Sequence, residues 1–198
     1  GGANLKHILS TIFFIIPLAL ISLRSNSNQW IRITSWLNKS ENVLSSNWQS
    51  SQSILGLGNG GLIGQGLGNS IIKQPGLLPE VHTDFIFPVI AEEIGFIGTS
   101  IILFFFVWLF YRGIQIAKNA PDAFGMFLAF GIIINITIYV LINIGYVIGF
   151  LPTTGLPLPF FSYGGSHTLF TLVSLGILIN ISAQSRFNHT HRGTNIYV

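Results

Sequence analysis

Four of the six acidic residues in this 198-residue chain fall between positions 80 and 93: Glu80, Asp84, Glu92 and Glu93. A carboxylate within reach of water and an organic substrate can take a proton from an attacking hydroxyl, and carboxylates suit magnesium or manganese. Glu80 and Asp84 are four apart, so a helical turn puts both on one face, with Pro79 as its first residue. His82 and Thr83 lie between them. Asp84 adjoins Phe85-Ile86-Phe87, the start of an apolar stretch, which sets it at the edge of a bilayer. Glu92 and Glu93 then fall about two turns deeper, at roughly 1.5 Å per residue. At about 100° per residue, Glu92 points about 80° away from Asp84 and Glu93 points to the opposite face. A straight helix therefore cannot bring all three to one cleft, and Pro88 is the residue expected to bend it. An ionisable group in hydrocarbon costs several kcal/mol, so it faces protein or water. Glu92 and Glu93 read either as structural partners of basic or hydroxyl groups on another helix or as parts of a site. A functional role is favoured for Asp84, which can meet both a lipid headgroup and an aqueous substrate.

The elements that carry these groups are membrane helices. Hydrophobic residues make up 49% of the chain and charged ones 8%, against about 25% charged in a soluble domain. A spanning helix needs about 20 mostly apolar residues. Residues 7–23, 85–111 and 123–150 qualify, and 168–183 is shorter but extends back towards Ser162. The expected fold is all-α: one polytopic membrane domain, 1–198, of about four spanning helices, with a long extracytoplasmic loop, 24–84, that carries short helices. The chain starts Gly-Gly-Ala, which reads as a processed product or a fragment. The first apolar stretch lacks a small-x-small cleavage site and is followed by further spans, so it reads as a retained helix. A net charge of +3 from scattered basic residues gives no support to nucleic-acid binding. The absence of cysteine excludes disulfides, thiolate metal sites and cysteine nucleophiles.

Lys6, Arg112, Lys118, Arg186 and Arg192 share the side of the termini and of the short loop 112–122, and short loops vote most strongly in the positive-inside rule. That vote sets the termini in the cytoplasm and loop 24–84 outside. Trp30 and Trp36 in that loop suit the interface, and Gln49 to Leu55 begins a short helix. Gly56 to Gly68 holds seven glycines. Its Gly56-x-Gly58-x-x-Gly61 spacing lacks the strand and helix that a dinucleotide site requires. The run reads instead as backbone that turns tightly or lies against a helix or a lipid headgroup. Asn135, Tyr139 and Asn143 form a polar stripe on the third span, explained by interhelical hydrogen bonds or packing. Residues 151–165, with Pro152, Gly155, Pro157 and Pro159, cannot form a helix and should border protein or a water-filled cavity, with Ser162 and Ser166 offering hydroxyls.

Three ordered motifs resemble the SEDS family, the shape, elongation, division and sporulation proteins FtsW, RodA and SpoVE. The first is Leu78-Pro79-Glu80-Val81-His82-Thr83-Asp84-Phe85-Ile86-Phe87 with Glu92-Glu93-Ile94-Gly95-Phe96-Ile97-Gly98. The second runs from Asn143-Ile144-Gly145 through Leu151-Pro152-Thr153-Thr154-Gly155-Leu156-Pro157-Leu158-Pro159-Phe160 to Ser162-Tyr163-Gly164-Gly165-Ser166. The third is Gln52-Ser53 with Gly60-Gly61-Leu62-x-Gly64-x-Gly66. The resemblance covers roughly residues 28 to 186 and looks like the C-terminal half of a family member. Gly66-Leu67-Gly68-Asn69-Ser70 is more similar to FtsW or its sporulation relative than to RodA. Tyr139 stands where the family usually has glutamine, and His167 where it has a small residue.

The resemblance implies a peptidoglycan glycosyltransferase that polymerises lipid II at the outer face of the bacterial cytoplasmic membrane during division and cell-wall synthesis. Its partners would be a class B penicillin-binding protein transpeptidase and other divisome proteins. By match to the motif, Asp84 is the catalytic acid residue. Arg32 is the candidate counter-charge for the leaving pyrophosphate and Lys73 a second. Glu80, His82, Ser162 and Ser166 are further candidate substrate contacts, Glu92 and Glu93 supports, and a magnesium or manganese ion at Asp84 and Glu80 is an expected cofactor. Two other functions use the same features: a flippase for the same lipid-linked precursor, and a non-catalytic scaffold for the transpeptidase.

Overall fold

The computed structural model describes residues 4–37, 46–74, 78 and 81–194. The described residues are helical and contain no strand. The chain forms two compact units, Gly1–Trp48 and Gln49–Val198. In the first, α1 (Leu5–Ser25) is capped by the Asn4 side chain, which accepts from the Lys6 N–H, and α2 (Ser27–Leu37) follows after Asn26. α2 is thus a short helix inside the stretch 24–84, which was expected to carry such helices.

In the second unit, α3 (Ser46–Asn59) leads into the glycine run and a 3-10 turn, Ile71–Lys73. Three long helices follow: α4 (Ile86–Lys118), α5 (Ala123–Val147) and α6 (Gly165–Thr194). Asp122 caps α5 by accepting the Gly125 N–H at 3.1 Å, which satisfies one of the donors every helix start leaves over. Ile86–Lys118, Ala123–Val147 and Gly165–Ser185 are each long and apolar enough to cross a membrane. The protein is an all-helical, polytopic membrane protein. The fourth expected span is reached only if Leu9–Ser25 and Gln29–Leu37, bent by 91°, count as one.

α4 is broken, and not where the sequence suggests. Pro88 is the third residue of the helix, where its missing N–H would have no helical partner anyway, so it bends nothing. The break lies at Gly95, with φ 71° and ψ −173°. A continuous helix would pair the Phe96 and Ile97 N–H groups with the Glu92 and Glu93 carbonyls. Here all four groups turn to the glycine run. Phe96 N–H donates to the Gly61 carbonyl at 2.8 Å and Ile97 N–H to that of Leu62 at 3.1 Å. Gln65 N–H donates to the Glu92 carbonyl at 2.9 Å and Gly66 N–H to that of Glu93 at 3.0 Å. The two helical bonds that the break removes are replaced by four to the loop. The glycines permit this approach: a Cβ on Gly64 would overlap the Glu93 carbonyl, and one on Gly95 would overlap the Gly64 nitrogen.

A long uncharged run begins beside the break. Residues 94–111 carry no charge and rise about 27 Å, close to the hydrocarbon thickness. Glu93 and Arg112 therefore mark the two edges of the α4 span.

Candidate functional site

Asp84 lies in a turn formed by residues 81–85, and α4 starts only at Ile86. The helical projection from Asp84 to Glu92 and Glu93 therefore does not apply. The groups that hold Asp84 come from α5 and the proline-rich loop after it. Asn143 and Tyr146, three residues apart on one face of α5, are both fully buried. The Asn143 amide nitrogen lies 3.0 Å from the Asp84 carbonyl, 2.7 Å from the Leu156 carbonyl and 2.7 Å from the Tyr146 hydroxyl. The Tyr146 hydroxyl lies 2.8 Å from the Asp84 carbonyl and 2.9 Å from that of Leu156. The two side chains thus join the main chain of Asp84 to that of Leu156. The Phe85 ring packs edge-on against Tyr146, with centroids 5.5 Å apart.

The side chain of Asp84 is half-buried and faces Gly155. Gly155 has φ +74°, and a Cβ there would sit 3.1 Å from the nearer carboxylate oxygen. Any side chain at 155 would crowd the carboxylate. A second tie joins the same two loops, where the Tyr163 N–H donates to the His82 carbonyl at 2.8 Å. His82 and Tyr163 are exposed beside this junction.

The other candidate residues divide by environment. Ser162 is buried and accepts the Leu158 N–H at 2.7 Å, so its hydroxyl closes a turn in the loop instead of facing outward. Ser166 is exposed in the first turn of α6. Arg32 is exposed on α2, in the first unit. The Lys73 ammonium forms an ion pair with Glu93. Glu80 lies outside the described residues, and with it the second carboxylate of the expected cation pair. Among the described residues no group of three His, Cys, Asp or Glu side chains comes together.

Glu92 is 0% exposed, yet both its oxygens are satisfied. One accepts from the Ser70 hydroxyl at 2.5 Å and the Ile72 N–H at 3.3 Å, the other from the Asn59 amide at 3.3 Å. The partners of both glutamates sit on α3 and the segment that follows it, not on another spanning helix. Glu92 and Glu93 support the architecture by fastening that segment to α4.

Sequence reasoning saw Asn143 in a stripe and at the start of a motif, without its partners, and missed Tyr146. Asn135 is exposed, and Tyr139 stacks on His167 with ring centroids 5.1 Å apart, so the stripe is not one network. The usable signal was narrower: two polar side chains three apart at the end of an uncharged helix, just before a loop that cannot pair its own backbone. Tyr146→Phe keeps the ring and removes one member of the clamp. It should lower stability by about 1–3 kcal/mol, readable as a fall in the thermal unfolding midpoint, whereas Tyr139→Phe should leave the midpoint unchanged.

The chain belongs to the FtsW/RodA/SpoVE family of cell cycle proteins, whose profile matches residues 1–187. It is 52% identical over 156 residues to stage V sporulation protein E of Bacillus subtilis, covering 79% of this chain and 42% of that protein. It is 43% identical over 186 residues to the probable peptidoglycan glycosyltransferase FtsW of Geobacter metallireducens, covering 94% of this chain and 49% of the relative. A chain from the solved structure described as "Structural coordination of polymerization and crosslinking by a peptidoglycan synthase complex" matches with a TM-score of 0.64 at 25% identity, over 91% of this chain and 49% of that one. The chain spans about half the length of the curated relatives it matches.

Proposed function

We propose that this chain is the half of a peptidoglycan glycosyltransferase that carries the catalytic carboxylate, and that the whole protein polymerises lipid II during cell division and cell-wall synthesis. The observation that carries this reading is Asp84: its main chain is held by Asn143 and Tyr146, and its half-buried carboxylate lies against Gly155, which has no side chain. The relatives, among them a probable peptidoglycan glycosyltransferase, support the same class of activity. In the reaction, the acceptor hydroxyl of one sugar gives its proton to the Asp84 carboxylate as its oxygen attacks the anomeric carbon of another. The bond from that carbon to the lipid pyrophosphate breaks, and the pyrophosphate leaves with the bonding pair. Arg32 would counter the charge that grows on the leaving group.

The site would face the outside of the cytoplasmic membrane, by the vote of Arg112, Lys118 and the basic tail. A class B transpeptidase is the proposed partner, in keeping with the synthase complex that contains the structural neighbour. The cation expected at Asp84 and Glu80 belongs to the proposal too; when bound it would neutralise pyrophosphate charge. Chelation should then slow synthesis and added magnesium or manganese restore it, whereas a rate indifferent to chelator removes the cation.

The test is glycan synthesis from lipid II by the full-length protein with its transpeptidase, wild type against Asp84→Asn. An enzyme loses polymer while still binding lipid II. A flippase loses translocation and makes no polymer in either form, and a scaffold tolerates the substitution.

A further inference from the structure

At the opposite end of α4 lies a second polar site, outside everything that serves Asp84. A cavity of about 170 Å³ is lined by Arg112, Gln115, Ile116 and Asn119 of the α4 end and by Ser182 and Ser185 of α6. That is several times the ~30 Å³ share of one water in the liquid. Arg112 donates to the Gln115 side-chain oxygen at 3.0 Å, which turns the Gln115 amide into a donor beside the remaining guanidinium N–H groups. Asn119 and Ser182 add an amide and a hydroxyl. The Ser185 hydroxyl already donates to the Asn119 carbonyl, so this carbonyl at the end of α4 is occupied. The cavity therefore offers several donors around one cation and has no carboxylate in its lining.

Its level in the membrane names the ligand. Arg112 is the first charge after the uncharged run 94–111, and Ser185 ends the α6 span. Both helices reach the headgroup layer here. Lys118 and Arg186 lie nearby in sequence, and Asp122, the one acidic residue after position 93, is engaged in capping α5. Basic pockets between spanning helices at this level suit phosphorylated lipid headgroups, and guanidinium with flanking amide donors matches phosphate oxygens. We propose that this cavity binds the phosphate of an anionic phospholipid headgroup, on the membrane face opposite Asp84.

The test uses the full-length protein, delipidated in detergent and offered phosphatidylglycerol, phosphatidylcholine or inorganic phosphate, with binding read by native mass spectrometry. Wild type should retain phosphatidylglycerol over phosphatidylcholine. Arg112→Gln should weaken that retention by about tenfold or more, as expected for a lost charged hydrogen bond. Ser182→Ala, a smaller change, should weaken it less and covers the case in which Arg112→Gln does not fold. Equal retention by wild type and Ser182→Ala together with Arg112→Gln, or equal retention of the two lipids, overturns the site. Phosphatidylglycerol displaced by inorganic phosphate from wild type overturns the lipid assignment in favour of free phosphate.

Discussion

Asp84→Asn should reduce glycan formation by about a hundred- to ten-thousandfold, the usual contribution of a positioned acid or base, while lipid II binding stays near wild type. The substitution preserves shape and removes only the capacity to take a proton. What Asn143 and Tyr146 hold is the Asp84 carbonyl, a main-chain group that survives the change. The fold should therefore persist, and a matched thermal midpoint is the control. The Gly155 face tightens the expectation. A Cβ at 155 would lie 3.1 Å from the carboxylate, so Asn is accommodated where a longer Glu would be forced off position. Asp84→Glu should consequently not rescue the rate. Polymer made at the wild-type rate by Asp84→Asn, in an assay that resolves chain length, would remove the carboxylate from the chemistry.

The second large effect is on folding. Gly64→Ala should destabilise the protein by more than about 4 kcal/mol, in the range reserved for named structural failures. Two costs coincide. Gly64 has φ +88°, which an alanine tolerates poorly, and its Cβ would overlap the Glu93 carbonyl, a backbone group that cannot swing aside. Relief would separate the glycine run from the α4 break, leaving the carbonyls of Glu92 and Glu93 and the N–H groups of Phe96 and Ile97 unpaired at the edge of the bilayer. Gly58→Ala is the internal control. Gly58 lies in α3 with nothing within 4 Å of a new Cβ, so alanine there should be neutral or slightly stabilising. Size-exclusion profiles and thermal unfolding of the two variants would separate them. Equal behaviour would mean that the loop does not seal the helix.

The long apolar helices were legible because eighteen or more uncharged residues in a row have few other uses. The loop 151–164 was legible for a complementary reason: its prolines and Gly155 rule out a helix. Asp84 was singled out by its place at the start of an apolar stretch and then by a motif, and its surroundings were not legible. Asn143 and Tyr146 act on main-chain carbonyls, and a carbonyl looks the same at every position of a sequence. The bend in α4 was assigned to Pro88 because proline is the loudest helix breaker. Its place in the first turn made it harmless, and the quieter Gly95 took the role because another backbone had to pass beside it. For the same reason the glycines at 60–66 pointed to a tight turn or a close approach to a helix or headgroup, but not to which helix: backbone-to-backbone docking leaves only the absence of side chains as its trace. Glu92 and Glu93 were correctly suspected of needing partners. Those partners, Ser70, Asn59 and Lys73, lay twenty to thirty-three residues back in ordinary polar sequence.

The direction of that docking matters during synthesis. The segment that closes the α4 break lies about thirty residues before Gly95, so the ribosome has already made it when the break emerges. The upper part of α4 need never wait in the membrane with open backbone groups for a later stretch of chain to arrive.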